Sequence, residues 1–202
     1  MIGFIGGGRM AEALIKGIIK QGNKDIFVSD VQEQRRLYIE SSYGMKTTES
    51  NQDVANLCEI IILAVKPQDM ITVLDEIADS VTKEKTIVSI AAGIKLDFFQ
   101  KKLKTKRIVR TMPNVASIEQ EGMTLMSFGK FFPPSEVSRI EKLFMSVGKI
   151  LIIDEEMINV FSTISGSGPA FFVLFMEALI EAGVKMGIEK NLVTKEAIQT
   201  LS

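Results

Sequence analysis

The stretch Ile2-Gly3-Phe4-Ile5-Gly6-Gly7-Gly8-Arg9-Met10-Ala11 decides how the rest of the chain is read. Met1 to Ile5 reads as a strand, and Leu14, Ile15, Ile18 and Ile19 recur at helical spacing over about Met10 to Gln21. Between them lies a G-x-G-x-x-A run. Gly6 permits a tight turn, Gly8 lets backbone approach a pyrophosphate, and Ala11 lets helix and strand pack closely. The helix that follows would turn free N–H groups and a partial positive charge toward an anion. With a second strand at Ile26 to Ser29 closed by Asp30, this context predicts a dinucleotide site at Ile5, Gly6, Gly7, Gly8, Arg9 and Met10.

Asp30 stands where a carboxylate accepts hydrogen bonds from an adenosine ribose, which favours NAD and repels the 2′-phosphate of NADP. Arg35 and Arg36 follow on a polar helix. Either neutralises such a phosphate if it reaches back; otherwise both lie on a solvated face, so the choice between NADH and NADPH stays open.

Working outward, the βα rhythm continues. A short helix is expected at Asn51 to Leu57, an apolar strand at Ile60 to Val65, and a helix from Asp69 to Asp79. Strand Thr86 to Ile90, helix Leu96 to Leu103 and strand Arg107 to Arg110 follow, then strand Gly122 to Phe128, helix Pro134 to Val147 and strand Lys149 to Ile153. The run Ile60-Ile61-Ile62-Leu63-Ala64-Val65 is apolar at every position, as expected of a parallel strand covered on both faces. From Glu155 onward the pattern is helical, with a long helix from Pro169 to about Met186. The boundary is therefore placed at Asp154: residues 1–154 form a dinucleotide-binding domain of α/β class with a mostly parallel sheet, and 155–202 begin a helical domain.

Composition narrows the function. The 202 residues carry 24 Lys plus Arg against 25 Asp plus Glu, a net charge of −1, with no basic block, so nucleic acid is not an expected partner. One cysteine, Cys58, and no histidine exclude a disulfide framework, Cys/His zinc spacing and Ser-His-Asp or Cys-His catalysis, and no metal site is expected. The N-terminus lacks a basic signal-peptide region, and the apolar run Ala170 to Ile180 is interrupted by Glu177, short of the roughly 20 residues of a membrane span. A cytoplasmic protein without a membrane segment is expected.

Further runs sit where ligands meet open α/β sheets. Ala64-Val65-Lys66-Pro67 ends one strand, with Lys66 the only charge on that rim, and Ala91-Ala92-Gly93 after the next leaves room for a flat ring or ribose. Arg110-Thr111-Met112-Pro113-Asn114 either orients a small acid or is a structural loop held by Asn114. Ser165-Gly166-Ser167-Gly168-Pro169-Ala170 opens the long helix, with Ser167 or Gly168 as cap and free N–H groups suited to a carboxylate. Phe171, Phe172, Leu174, Phe175, Leu179, Val184 and Met186 cover more than one face of that helix, which implies burial between helices or subunits.

These runs in this order, together with Glu181-Ala182-Gly183-Val184-Lys185-Met186-Gly187, resemble the pyrroline-5-carboxylate reductases, which reduce a cyclic imine to L-proline with NADH or NADPH in the last step of proline biosynthesis. The resemblance spans nearly the whole chain. It implies a Rossmann-like domain followed by an all-helical, 6-phosphogluconate-dehydrogenase-like domain that interleaves with a partner subunit, hence a homodimer or higher homo-oligomer. It also implies that Gly6 to Met10 hold the pyrophosphate, that Asn51 lies near the adenosine, and that Ala64, Val65, Lys66, Pro67, Ala91, Ala92 and Gly93 flank the ribose and nicotinamide. Ser165, Gly166, Ser167 and Gly168 would help to form the substrate pocket. Two positions depart from the family: Arg9 stands where a neutral polar residue is common, and Asp30 where NADP-using members often carry serine. The family also continues past position 202 with a proline-glycine-glycine-threonine loop beside the imine, so the helical domain is expected to be incomplete here and the catalytic residues stay unassigned.

Two other readings compete. A β-hydroxyacid dehydrogenase shares the glycine-rich opening but needs a lysine acid on the long helix, where Lys185 lies far from the start. A non-catalytic dinucleotide-binding regulator would keep the scaffold without the chemistry.

Overall fold

The computed structural model describes residues 1–201. Contacts divide the chain into two compact units, Met1–Ser162 and Thr163–Ser202. The first contains β1 (Ile2–Ile5), α1 (Arg9–Lys20), β2 (Ile26–Ser29), α2 (Glu33–Tyr43), β3 (Lys46–Thr48), α3 (Asn51–Leu57), β4 (Ile60–Leu63), α4 (Met70–Ile77), β5 (Thr86–Ser89), α5 (Leu96–Lys102), β6 (Ile108–Pro113), β7 (Gly122–Phe128), α6 (Pro134–Met145) and β8 (Gly148–Ile152). α7 (Glu155–Ser165) carries the division, and α8 (Gly168–Lys185) and α9 (Lys190–Thr200) belong to the second unit.

The eight strands form one sheet in the order β3-β2-β1-β4-β5-β6-β7-β8. All pairings are parallel except β6 with β7. The expected α/β class with a mostly parallel sheet is thus observed. The order reverses direction between β1 and β4, which makes a crevice at their carboxyl ends.

The apolar strands are explained by the pleat, since successive side chains leave opposite faces. Ile60 and Ile62 of β4, with Phe4 of β1, join Leu14, Ile18 and Phe144 on one face, while Ile61 and Leu63, with Ile5, join Val54, Leu74, Ile77 and Phe99 on the other. Each face is therefore sealed by its own helices, α1 and α6 on one side and α3, α4 and α5 on the other. Every residue of β4 is buried.

Three differences from the sequence reading have local causes. β3 was not anticipated, because Lys46-Thr47-Thr48 is a short polar edge strand without an apolar signal. β6 runs on through Arg110, Thr111, Met112 and Pro113, so that motif is strand and not a loop after one; it continues because β7 pairs with it out to Pro113. The uncharged stretch extends from Met157 to Met176, longer than Ala170 to Ile180, and the helical residues Glu155–Lys185 are long and apolar enough to cross a membrane, with a mean hydropathy of 1.5.

In the second unit α9 packs on α8 through Val193, which lies close against Gly183. Phe171, Phe172, Leu174 and Phe175 stay exposed, Phe172 at 70%. Four such side chains within two turns exceed what a monomer leaves in water, and within this chain no described residue covers them.

At Gly17, α1 passes against the turn between α6 and β8, where an added Cβ would lie 2.6 Å from the Ser146 carbonyl oxygen. Gly17→Ala gains about 1 kcal/mol of helix propensity, but overlap with fixed backbone costs roughly 1–3 kcal/mol. The expected net result is a lower urea midpoint; a raised midpoint would show that α1 and Ser146 are not in contact.

Candidate functional site

The glycine turn is shaped by crowding. Gly6 has φ +94°, and a Cβ there would lie 2.8 Å from the Ala64 carbonyl oxygen, so the chain leaving β1 passes directly over the chain leaving β4. Gly6 N–H donates to the Ser29 carbonyl at 2.8 Å, and Ala64 N–H donates to the Ile5 carbonyl at 2.8 Å, which knits the exits of β1, β2 and β4 together. Gly7 N–H donates to Oδ2 of Asp30 at 2.8 Å.

Gly8 is the N-cap of α1, in extended backbone and without a side-chain cap. The first helical bond runs from Glu12 N–H to the Gly8 carbonyl at 2.9 Å, so the preceding amides have no acceptor within the helix. A Cβ at Gly8 would meet nothing within 4 Å. Open ground therefore lies before a helix terminus with unspent donors and a positive dipole end, a geometry that binds phosphate.

A polar cluster that sequence reasoning missed braces the turn from outside. Arg35 donates from Nε to the Gly7 carbonyl and from NH2 to Gly8 at 3.4 Å, and it pairs with Glu12 through NH2. Glu12 Oε1 also accepts from the hydroxyls of Tyr38 (2.8 Å) and Tyr43 (2.7 Å), and the Arg35 guanidinium lies over the Tyr38 ring. Burial alone would raise the Glu12 pKa, but the hydrogen bonds from Arg35, Tyr43 and Tyr38 outweigh it and hold the carboxyl below its usual value. Burial and the bond to Glu12 push the Tyr43 phenol upward.

Arg36 also turns inward, donating to the carbonyls of Asp30 (2.8 Å) and Val31 (3.3 Å), with Glu49 3.8 Å away. The solvated-face alternative for the two arginines is therefore not what the structure shows. Their side chains are about four-fifths buried, 22% and 18% exposed, because backbone carbonyls draw them in.

Beside the turn lies a cavity of about 320 Å³ bounded by Gly6, Asp30, Val31, Asn51, Asp69 and Glu76 among others. Asn51, the first residue of α3, accepts from the Ser29 hydroxyl at 2.7 Å and donates to Glu76 at 2.7 Å, so both ends of its amide are fixed. The chain after β4 supplies Val65 to this cavity, then Lys66, exposed, and Pro67, which starts a 3-10 turn at Pro67–Asp69. After β5, Ala91 is buried with its N–H on the Ser89 hydroxyl at 3.2 Å, while Ala92 and Gly93 are exposed. The structure thus brings Ile5 to Gly8, Asp30, Asn51, Ala64 to Pro67 and Ala91 to Gly93 to the carboxyl ends of β1, β2, β4 and β5. Arg9 and Met10 follow on the first turn of α1, with Arg9 exposed.

Other residues have different places. Arg110 is 2% exposed and pairs with Glu155 at 3.3 Å, while its NH2 donates to Asn159 at 2.8 Å. Glu155 also accepts from Leu96 N–H at 2.6 Å. Arg110 is therefore a buried tie between β6 and the starts of α5 and α7, not a hand for a small acid, and Asn114 accepts from Met123 N–H at 3.0 Å as a loop-holding residue. Ser165, Gly166, Ser167 and Gly168 lie at the turn from α7 into α8, the last three in the second unit with Ser165. Ser167 is the N-cap of α8 but makes no side-chain cap, since its own backbone is already helical (φ −90°, ψ −25°).

A sheet that reverses at β1/β4, with a glycine turn and an uncapped helix at the crevice, defines a Rossmann-like domain of the dinucleotide-binding class. Known proteins agree. Residues 1–93 match the family described as NADP oxidoreductase coenzyme F420-dependent, and 155–202 match pyrroline-5-carboxylate reductase dimerisation. The Mycobacterium tuberculosis pyrroline-5-carboxylate reductase is 33% identical over 100% of this chain and 71% of its own length, and the Rattus norvegicus pyrroline-5-carboxylate reductase 3 is 36% identical over 99% and 74%. Among solved structures, the Coxiella burnetii pyrroline-5-carboxylate reductase superposes with a TM-score of 0.92 at 32% identity, covering 99% of this chain and 76% of that one. The Plasmodium falciparum enzyme, solved with NADP bound, gives 0.87 at 29%, covering 99% and 75%. The chain belongs to the pyrroline-5-carboxylate reductase family.

Gly8→Asp separates folding from binding. Aspartate is a good N-cap, so thermal stability should hold or rise by a few tenths of a kcal/mol. Its charge faces the pyrophosphate, and the NADH dissociation constant measured by calorimetry should rise on the order of 100-fold. Unchanged affinity would remove the turn from the cofactor site.

Proposed function

We propose that this protein reduces 1-pyrroline-5-carboxylate to L-proline with a dihydronicotinamide dinucleotide, the last step of proline biosynthesis. The observation that carries the reading is the open, uncapped start of α1 at Gly8, next to the cavity of Asp30 and Asn51 and within a chain of this family. When bound, the dinucleotide supplies a hydride for the carbon of the C=N bond.

The chain's own residues bind and orient. The amides at Gly8 to Met10 hold the pyrophosphate, and Asp30 and Asn51 face the adenosine ribose. Ala64 to Pro67 and Ala91 to Gly93 border the second ribose and the nicotinamide, the small residues Ala91, Ala92 and Gly93 leaving room for a flat ring. An imine nitrogen takes its proton from water or a hydroxyl, so a chain without histidine is compatible with this chemistry. Ser165, Gly166, Ser167 and Gly168 serve the substrate carboxylate from the turn that leads into α8. We assign residues 1–154 to the dinucleotide-binding domain and 155–202 to the start of the helical domain.

The exposed aromatic face of α8 is covered by a second copy of the chain, giving a homodimer or larger homo-oligomer in the cytoplasm. The dimerisation match over 155–202 supports a protein partner over lipid for this apolar helix, as do the hydroxyl and glycine residues in the middle of its uncharged stretch.

The test is to mix the full-length protein with NADH or NADPH and 1-pyrroline-5-carboxylate and follow dihydronicotinamide absorbance. Consumption that depends on the imine and yields equimolar L-proline is expected. Absence of imine dependence at saturating cofactor would contradict the assignment.

A further inference from the structure

The cavity beside the glycine turn is acidic. Among the residues that bound it are three carboxylates, Asp30, Asp69 and Glu76, and no lysine or arginine. Asp30 is held in place by two backbone donors, Gly7 N–H on Oδ2 and Gln32 N–H on Oδ1, each at 2.8 Å. Each oxygen keeps a further lone pair, which suits it to accept from a sugar hydroxyl and not to meet a phosphate.

The two arginines of α2 are committed elsewhere. Arg35 is bound to the carbonyls of the glycine turn and to Glu12, and Arg36 to the carbonyls of Asp30 and Val31 with Glu49 beyond. The next position along the chain, Val31, is 82% exposed and carries no charge. A 2′-phosphate at this ribose would therefore meet a fixed carboxylate in a cavity whose lining residues include no cation, and Arg36 could turn to it only by giving up two backbone carbonyls.

Building on the dinucleotide reading of the turn, we infer that this protein selects NADH over NADPH, with Asp30 as the residue that reads the free 2′-hydroxyl. The NADP bound to the Plasmodium falciparum relative does not carry over to this pocket, whose lining is anionic.

Calorimetric titration with NADH and NADPH at low salt and mildly alkaline pH tests this directly. NADH is expected to bind at least about tenfold more tightly, a gap of roughly 1.4 kcal/mol. The gap should narrow with added salt, and also below about pH 6, where the 2′-phosphate takes up a proton. Asp30→Ser should narrow it. Because Asp30 also braces Gly7, a second variant at the exposed neighbour, Val31→Arg, should shift the NADPH:NADH affinity ratio toward NADPH by about tenfold. Equal or tighter NADPH binding by the unaltered protein overturns the inference alone, while binding of neither nucleotide overturns the dinucleotide reading and this inference with it. An unchanged ratio in both variants removes Asp30 as the discriminating residue.

Discussion

The contact between Gly6 and the Ala64 carbonyl is the constraint from which the site follows. A Cβ at Gly6 would come within 2.8 Å of that oxygen. Without a side chain at Gly6, β1 and β4 can exit side by side, and α1 can begin immediately over the crevice where the strand order reverses. A bulkier residue would push the turn away from β4 and tilt the start of α1. The start of α1 would then shift relative to the cavity that Gly6 shares with Asp30 and Asn51.

Two polar networks hold this arrangement against motion. On one side Arg35 ties the carbonyls of Gly7 and Gly8 to Glu12, so α2 and α1 grip the turn between them. On the other, buried Arg110 links β6 to the first residue of α7 through Glu155, whose carboxylate also caps the first amide of α5. Breaking a buried pair by removing one partner costs on the order of 3–5 kcal/mol, so Arg110 is better understood as a structural anchor than as a ligand group. Among the described residues it is the largest fully buried side chain.

The sequence was most informative where one local rule governs a segment. Ile60 to Leu63 is apolar on both faces because both faces are covered, and the glycine run between a strand and a helix admits few geometries. It was least informative where a contact joins distant positions. Arg35 and Glu12 are 23 residues apart, and nothing in the charge pattern of α2 distinguishes an arginine that turns back to the glycine turn from one in solvent. The same holds for Arg110 and Glu155, 45 residues apart, so the strand motif around Arg110 could be read equally as ligand or as scaffold. β3 escaped notice because the edge strand of Lys46, Thr47 and Thr48 carries no apolar alternation and forms on its ladder to β2.

The account stands on the amides at the start of α1 receiving the diphosphate of the dinucleotide. Backbone amide NMR of the labelled protein during addition of ADP-ribose, which carries the diphosphate without the nicotinamide, measures this most directly. The largest shifts are expected at Gly8, Arg9 and Met10, with smaller ones at Gly7 and Asp30. Saturable binding that leaves those three amides unmoved while resonances elsewhere shift would contradict it.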